Sequence, residues 1–162
     1  MDVEYVNPFL HAAVKVFKTM ARTEAEAGKP FLKKGDLAKG DISGIIGLSN
    51  ENLEASLSLS FHETCICFIV SNMLGEMIQK INMEVVDAVG EITNMISGDG
   101  RRELSEQGIS LKAGIPTVVK GKGHSIKHMT RGPVIAIPFK TKAGPFVIEV
   151  GHKSLGRVVA RR

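Results

Sequence analysis

Residues 82–97 of this sequence have the regular apolar spacing of a long amphipathic helix. Four branched aliphatic residues recur at intervals of three and four: Val85, Val89, Ile92 and Ile96. This spacing places them on one face of an α-helix, which we expect to be buried. Asp87, Glu91 and Asn94 follow the same spacing on the opposite face. Two carboxylates and an amide are an unusual choice for a solvated helix face, where Lys–Glu pairs prevail.

Shorter β-rich runs accompany the helical segments. A first helix is predicted from Asn7-Pro8, as a cap and first turn, to the break at residues 28–30. A short helix is predicted over residues 71–80, and Gly98 and Gly100 leave open whether the helix of residues 82–97 continues to Glu106. The runs with the composition or alternation of strands are 31–37, 42–48, 53–61, 65–70, 115–119, 134–139 and 146–150.

The order of these elements indicates an α+β protein. Each half of the chain consists of one long helix and a set of antiparallel strands, which is a faint internal duplication. We therefore expect an antiparallel sheet built from two helix-plus-meander halves, with the two long helices on one face. Residues 1–153 are predicted to form a single domain. The composition of the basic tail, residues 154–162, leaves open whether it is ordered.

Charge and composition exclude several classes of protein. The net charge of +4 at pH 7 is concentrated in the loop of residues 120–131 and in the tail. Without basic residues interleaved with aromatics, this pattern does not predict a nucleic-acid surface. No apolar run approaches the length of a membrane span, and residues 1–5 do not resemble a secretory signal. With only two cysteines, we expect a reduced, cytoplasmic protein.

Several catalytic motifs can be set aside. Residues 35–41 have the glycine frame of a phosphate-binding loop but lack its Lys-Ser/Thr. His62-Glu63 begins like a zinc-protease motif, but Ile66 stands where the second histidine is needed. The sequence also contains no Gly-x-Ser-x-Gly elbow of the kind that carries a hydrolase nucleophile.

The remaining cysteines and histidines are interpreted as structural. Cys65 and Cys67 are predicted to be small core residues on a strand, where neighbouring positions are poorly placed for a disulfide. His124 and His128 flank the basic loop with no third metal ligand nearby, and we interpret them as surface histidines. The row of Asp87, Glu91 and Asn94 is therefore the candidate site, although its spacing alone also occurs by chance.

The stretch from Glu84 to Gly98 closely resembles the signature helix of the CheC/CheX/FliY family of bacterial chemotaxis phosphatases. In that family Asp or Ser is followed by Glu and then Asn, with the spacing seen here in Asp87, Glu91 and Asn94. A proline follows slightly more than twenty residues later. Here twenty-one residues separate Asn94 from Pro116, about one fewer than usual.

The resemblance extends to the first helix and to the strand region of residues 40–48, and so covers nearly the whole chain. The first helix carries no second copy of the motif. Its corresponding face has His11, Lys15, Lys18 and Arg22. A second site of the CheC type is therefore absent, which favours the CheX branch of the family and implies a CheC-like fold.

Members of this family bind the phosphorylated receiver protein CheY and hydrolyse its aspartyl phosphate. The resemblance implies that Asn94 orients the attacking water and that Glu91 pairs with the receiver's active-site lysine. Asp87 would lie at the rim, either orienting Glu91 or contacting the partner. The receiver would supply Mg²⁺, so no cofactor is expected to be bound by this chain.

Two other interpretations remain open at this point. Flagellar switch proteins share the fold and bind the same regulator without the acid–amide pair, so a non-catalytic interaction module is the alternative. The presence of both Glu91 and Asn94 favours catalysis. A structural α+β protein with an accidental motif is the third interpretation.

We also expect a homodimer formed by pairing of sheet edges, as the resemblance to CheX implies and as the short β-rich runs allow.

Overall fold

The computed structural model describes residues 3–156 and consists of one antiparallel sheet with its helices on one face. The helices, after a 3-10 turn at Val3–Tyr5, are α1 (Asn7–Ala21), α2 (Glu63–Leu74) and α3 (Met83–Glu106). The strands of the first half are β1 (Glu26–Ala27), β2 (Phe31–Leu32), β3 (Ile42–Ser49) and β4 (Leu53–Phe61). Those of the second half are β5 (Lys112–Ala113), β6 (Thr117–Lys120), β7 (Val134–Thr141) and β8 (Gly144–Ser154).

The sheet consists of two hairpins, one from each half of the chain, and the short edge strands of each half pair with the hairpin of the other half. Hairpin β3–β4 and hairpin β7–β8 join along β4 and β8, which pair antiparallel with Leu57 opposite Val150. The short strands β1 and β2 of the first half pair with β7, and β5 and β6 of the second half pair with β3. The expected α+β architecture from two helix-plus-strand halves is confirmed.

The core lies between the sheet and the helices. Alternate residues of β4 and β8 face it, as the strict alternation of residues 57–61 predicts. The Phe17 ring of α1 packs against Phe61 and Phe146 of the sheet, with ring centroids 6.0 and 4.8 Å apart. The side chains of α3 that the sequence places on its apolar face are all fully buried: Val85, Val89, Ile92 and Ile96.

Helix α3 continues without interruption through its two glycines to Glu106. The Asn82 side chain caps its first turn by accepting a hydrogen bond from the backbone N–H of Val85, 3.0 Å away. A Cβ atom built at Gly100 would overlap the ring of Phe9 on α1. The glycine therefore allows the two long helices to pack closely, which offsets its poor helix propensity.

The predicted strand at residues 65–70 is wrong, because this segment forms the middle of α2. A continuous apolar run is compatible with a buried helix as well as a buried strand. The start of α2 is set by a tertiary contact, in which the backbone N–H of Glu63 donates to the carboxylate of Asp41, 2.8 Å away. Cys65 and Cys67 are buried and free, and burial raises the pKa of Cys65 to about 11.

Other boundaries also differ from the sequence predictions. Helix α1 ends at Ala21, where Arg22 adopts a left-handed conformation, rather than near residue 28. The helix predicted over residues 71–80 ends at Leu74, and the strand predicted over residues 31–37 is confined to β2. The last residues of the expected tail, 157–162, lie outside the described part of the chain. Among the described helices, none has both the length and the apolar character needed to cross a membrane.

The face of the sheet opposite the helices carries small polar residues that anchor the basic loop. His124 is hydrogen-bonded to Ser43, 2.6 Å away. His128 donates through Nε2 to Glu149 at 3.0 Å and is hydrogen-bonded through Nδ1 to Ser56 at 2.8 Å. The interpretation as a surface residue is therefore wrong for His128, whose side chain is 4% exposed, whereas His124 is half-buried.

Glu149 is the centre of a buried charged cluster on this face. Lys33 donates to both of its carboxylate oxygens, at 2.8 and 2.9 Å. The side chain of Glu149 is 0% exposed, that of Lys33 5% and that of His128 4%. Burial by itself raises the pKa of the Glu149 carboxyl, but the hydrogen bonds and charges of His128 and Lys33 outweigh this effect and hold the pKa below its usual value.

Candidate functional site

The candidate residues lie on the exposed side of α3. Asp87, Glu91 and Asn94 are all exposed, whereas Val89 and Ile92 between them are buried. The helix therefore presents the three polar side chains in one row along its outer surface, as their spacing predicts. A row on an outer helix face suits the surface of a macromolecular partner better than a small molecule enclosed in a cleft.

Helix α3 is held close to the sheet directly below this row. A Cβ atom at Gly44 of β3 would overlap Thr93 Oγ1. The Thr93 hydroxyl in turn donates to the Val89 carbonyl, 2.7 Å away, within α3. Gly44 thus permits the close approach that fixes the distance and orientation of α3 relative to the sheet. The sequence prediction did not include this contact, although a glycine inside a strand is a signal for close backbone approach.

Strand β6 lies beside α3 at the same end of the sheet. It pairs with β3 over Ile42–Ile45, and a Cβ atom at Gly90 of α3 would be 3.7 Å from Val118 Cγ2. Pro116 leads into β6 and is half-buried, and the preceding Ile115 is 90% exposed. The motif proline therefore immediately precedes the strand that flanks the polar row.

The N-terminal part of α3 concentrates negative charge. Asp87 and Glu91 are preceded by Glu84, whose carboxyl group lies beside that of Glu76 in the loop before α3. Hydrogen bonding with Glu76, together with the negative charge of Glu76, raises the pKa of Glu84 above its usual value. This end of the helix therefore favours a cationic group on a partner.

The corresponding face of α1 has a different chemistry. His11, Lys15, Lys18 and Arg22 are all exposed, and His11 Nδ1 lies 3.0 Å from the Glu103 carboxylate on α3. This face carries no pair of acid and amide side chains. Within residues 3–156 no group of three or more His, Cys, Asp and Glu side chains is placed to hold a metal ion.

The row on α3 can position groups that a partner supplies. The carboxamide of Asn94 both donates and accepts hydrogen bonds, so it can hold a water molecule without adding charge. The Glu91 carboxylate, one turn earlier, can accept hydrogen bonds from an ammonium group. The two side chains together can therefore orient a water molecule and a lysine on a docked surface.

Comparison with known proteins agrees with this arrangement. Residues 42–140 match the family model described as chemotaxis phosphatase CheX. The CheY-P phosphatase CheX of Thermotoga maritima is 27% identical over 139 residues, which cover 85% of this chain and 88% of that protein.

Solved structures show the same fold. A CheC-like superfamily protein from Shewanella sp. PV-4 superposes with a TM-score of 0.89 at 44% identity, covering 94% of this chain and 99% of its own. CheX of Borrelia burgdorferi, solved in a complex with CheY, BeF3 and Mg²⁺, superposes with a TM-score of 0.76 at 25% identity. That match covers 92% of this chain and 97% of the Borrelia chain.

Proposed function

Because this chain belongs to the CheX family of chemotaxis phosphatases, we propose that it hydrolyses the aspartyl phosphate of a CheY-type response regulator. The observation that supports this proposal is the exposed pair of Glu91 and Asn94 on α3, a helix rigidly seated on the sheet. Two tasks remain for a phosphatase that acts on a receiver domain: docking on the receiver's active-site lysine and orienting the attacking water. An acid and an amide in this position match these two tasks. We place the reaction in the cytoplasm, where such receivers act.

In the proposed reaction Asn94 aligns water with the phosphorus atom. The water oxygen forms a bond to phosphorus while the bond from phosphorus to the aspartyl oxygen breaks. The receiver regains its carboxylate, and the two protons of the water remain with the released phosphate. Phosphoryl transfer of this kind depends mainly on positioning and charge neutralisation. An uncharged amide orients the water without adding negative charge beside the phosphate.

Glu91 and Asp87 act in docking. Glu91 accepts hydrogen bonds from the receiver's active-site lysine and so sets the position of Asn94 relative to the phosphoryl group. Asp87, one turn further from Asn94, contacts the partner at the rim of the interface. Mg²⁺ held by the receiver supplies charge neutralisation at the phosphoryl oxygens, and the residues of this chain are not assigned to bind it.

Release of inorganic phosphate from a phosphorylated receiver tests the proposal directly. The receiver is phosphorylated with a small-molecule donor, the donor is removed, and phosphate is followed with and without catalytic amounts of this protein. We expect multiple turnovers per molecule of this protein. An unchanged rate of phosphate release would refute the proposed activity.

A non-catalytic module that binds the receiver is the alternative function. Binding alone requires surface complementarity but no water-orienting amide, whereas this chain has both Glu91 and Asn94 exposed on one face. The same experiment separates the two functions. A module that only binds would form a complex with the phosphorylated receiver and leave its phosphate lifetime unchanged or longer.

The variant Glu91→Lys is expected to weaken docking and activity together. The substitution places an ammonium group against the receiver lysine, and like charges in an interface oppose association. Affinity for a receiver carrying BeF3 as a stable phosphoryl mimic should fall at least tenfold, about 1.4 kcal/mol. Glu54→Lys, at an exposed position of β4 on the sheet face opposite the helices, is the matched control. Unchanged affinity of Glu91→Lys would mean that α3 meets its partner in another way.

We also propose that the protein is a homodimer formed through sheet edges. The outermost strands of the sheet, β1, β2 and β5, have two residues each, and β6 has four. Each of these strands has one side that no other strand of the described sheet pairs with, and a second copy can pair with the backbone groups there. Sedimentation at micromolar concentration should give about twice the 17.5 kDa chain mass. A single species at the monomer mass would contradict this assembly and leave the chemistry unaffected.

A further inference from the structure

The outer row of α3 continues beyond Asn94 through Gly98 to Arg101. These positions follow at intervals of four and three residues, so they lie on the same side of the helix. Gly98 and Arg101 are half-buried, and both line a shallow groove that follows the C-terminal half of α3 toward Leu111. Along the surface next to Asn94, the first residue is therefore Gly98, which has no side chain, and the next is the cationic Arg101.

The guanidinium group of Arg101 folds back along the helix. Its Nε forms a long hydrogen bond of 3.4 Å to the Ser97 hydroxyl. A Cβ atom at Gly98 would lie 4.0 Å from its Nη2, with no other contact within that distance. Arg101 lies seven residues after Asn94, about two turns or about 10.5 Å along the axis, and its guanidinium is held over the nearer of these turns, beside Ser97 and Gly98.

Arg102, the next residue, differs in its environment. Its guanidinium forms an ion pair with Asp99 at 3.2 Å, one turn earlier on α3, and its side chain is 67% exposed. Arg101 forms no ion pair with a carboxylate among the residues that the structure describes. Of the two neighbouring arginines, Arg101 therefore has the charge available for a group outside the chain.

The charges along the row change sign at Asn94. Glu84, Asp87 and Glu91 lie on its N-terminal side and Arg101 on its C-terminal side. The acidic end suits a lysine of the receiver, but it repels an anionic phosphoryl group and the carboxylates around it. A cation beyond Asn94 compensates for this repulsion, and a guanidinium binds oxyanions with two parallel hydrogen bonds.

We propose that Arg101 binds an oxyanion of the phosphorylated receiver, across the open surface of Gly98. This inference rests on the proposed function and assigns a specificity-determining residue to the same site. The oxyanion is either an oxygen of the phosphoryl group or a carboxylate beside it. With Glu91 on a lysine and Arg101 on an anion, the receiver can dock in only one direction along α3.

The matched pair Arg101→Gln and Arg102→Gln tests this role. Affinity is measured by calorimetry for a CheY-type receiver with and without BeF3 and Mg²⁺, and the kcat and KM of phosphate release are measured for each variant. We expect Arg101→Gln to bind the loaded receiver about tenfold more weakly and to raise KM by a similar factor. Arg102→Gln should stay within about twofold of the unmodified protein, since its ion pair is exposed and contributes little.

The two forms of the receiver distinguish the two sources of the oxyanion. A loss of affinity confined to the BeF3-loaded receiver identifies the phosphoryl group, and an equal loss for both forms identifies a receiver carboxylate. Equal affinities of the Arg101 and Arg102 variants for both forms would overturn the inference. If the unmodified protein binds but releases no phosphate, the proposed function fails while the binding comparison still decides the role of Arg101.

Gly98→Gln provides a second variant that is expected to fold well. Glutamine is a better helix former than glycine, so thermal stability should rise. The new side chain would fill the space between Asn94 and Arg101 and weaken binding of the loaded receiver. Higher stability with unchanged affinity and activity would show that the receiver does not approach this surface.

Discussion

Replacing Asn94 with alanine is expected to lower the rate of receiver dephosphorylation by about a hundredfold or more. The loss of one positioned group that acts in the transition state has an effect of this size. Asn94 is exposed and has no role in the core, so the free energy of unfolding should change by less than about 0.5 kcal/mol. The variant therefore separates catalysis from folding.

The measurement is phosphate release at matched receiver saturation, together with the affinity for the BeF3-loaded receiver. Affinity should change much less than kcat, because the proposed role of Asn94 is to orient water rather than to dock. Asn52→Ala, which removes an exposed amide in the turn between β3 and β4, is the control and should retain normal turnover. Near-normal phosphate release by Asn94→Ala would disprove the mechanism.

The variant Glu149→Gln is expected to lose about 3–5 kcal/mol of stability, the usual cost of removing one partner from a buried ion pair. It leaves the ammonium of Lys33 and the ring of His128 without the carboxylate that both contact. Urea denaturation at pH 7, with the slope of the transition compared between proteins, measures the change. A loss below about 1 kcal/mol would show that this cluster does not support the fold.

Two comparisons make the Glu149 prediction specific. The double variant Lys33→Met with Glu149→Gln should recover part of the lost stability, because no unpaired ammonium remains buried. The pH dependence has a defined sign, since the pKa of Glu149 is lowered in the folded state. Its contribution is complete above the ordinary pKa of glutamate, about 4.3, and is lost as the pH falls through the lower folded-state value. The stability difference between the native protein and Glu149→Gln should therefore shrink in acid.

The local pattern of the sequence was sufficient to predict the structure of those segments in which residues close in sequence decide the conformation. The aliphatic spacing of residues 85–96 predicted both the burial of one side of α3 and the exposure of Asp87, Glu91 and Asn94, because a helix converts spacing directly into direction. The alternation of residues 57–61 predicted β4 for the same reason. The family resemblance was confirmed by the match over residues 42–140.

Tertiary contacts decided what the local pattern left ambiguous. The run of residues 65–70 satisfies a buried helix and a buried strand equally, and a cap from Asp41, distant in sequence, selects the helix. The continuation of α3 through Gly100 depends on the Phe9 ring of another helix. Similarly, the sequence places His128 in a loop, and only the fold brings Ser56 and Glu149 to it.

The features of the candidate site likewise fall into those set by the local sequence and those set by tertiary contacts. The sequence by itself determined which side chains share the outer face of α3, since that depends only on the period of one helix. Only the tertiary structure decided how α3 is seated on β3 through Gly44 and Thr93, and where the charge of Arg101 is held. These features depend on distances between elements and on side-chain conformation, which are set by packing between elements and not by the period of one helix.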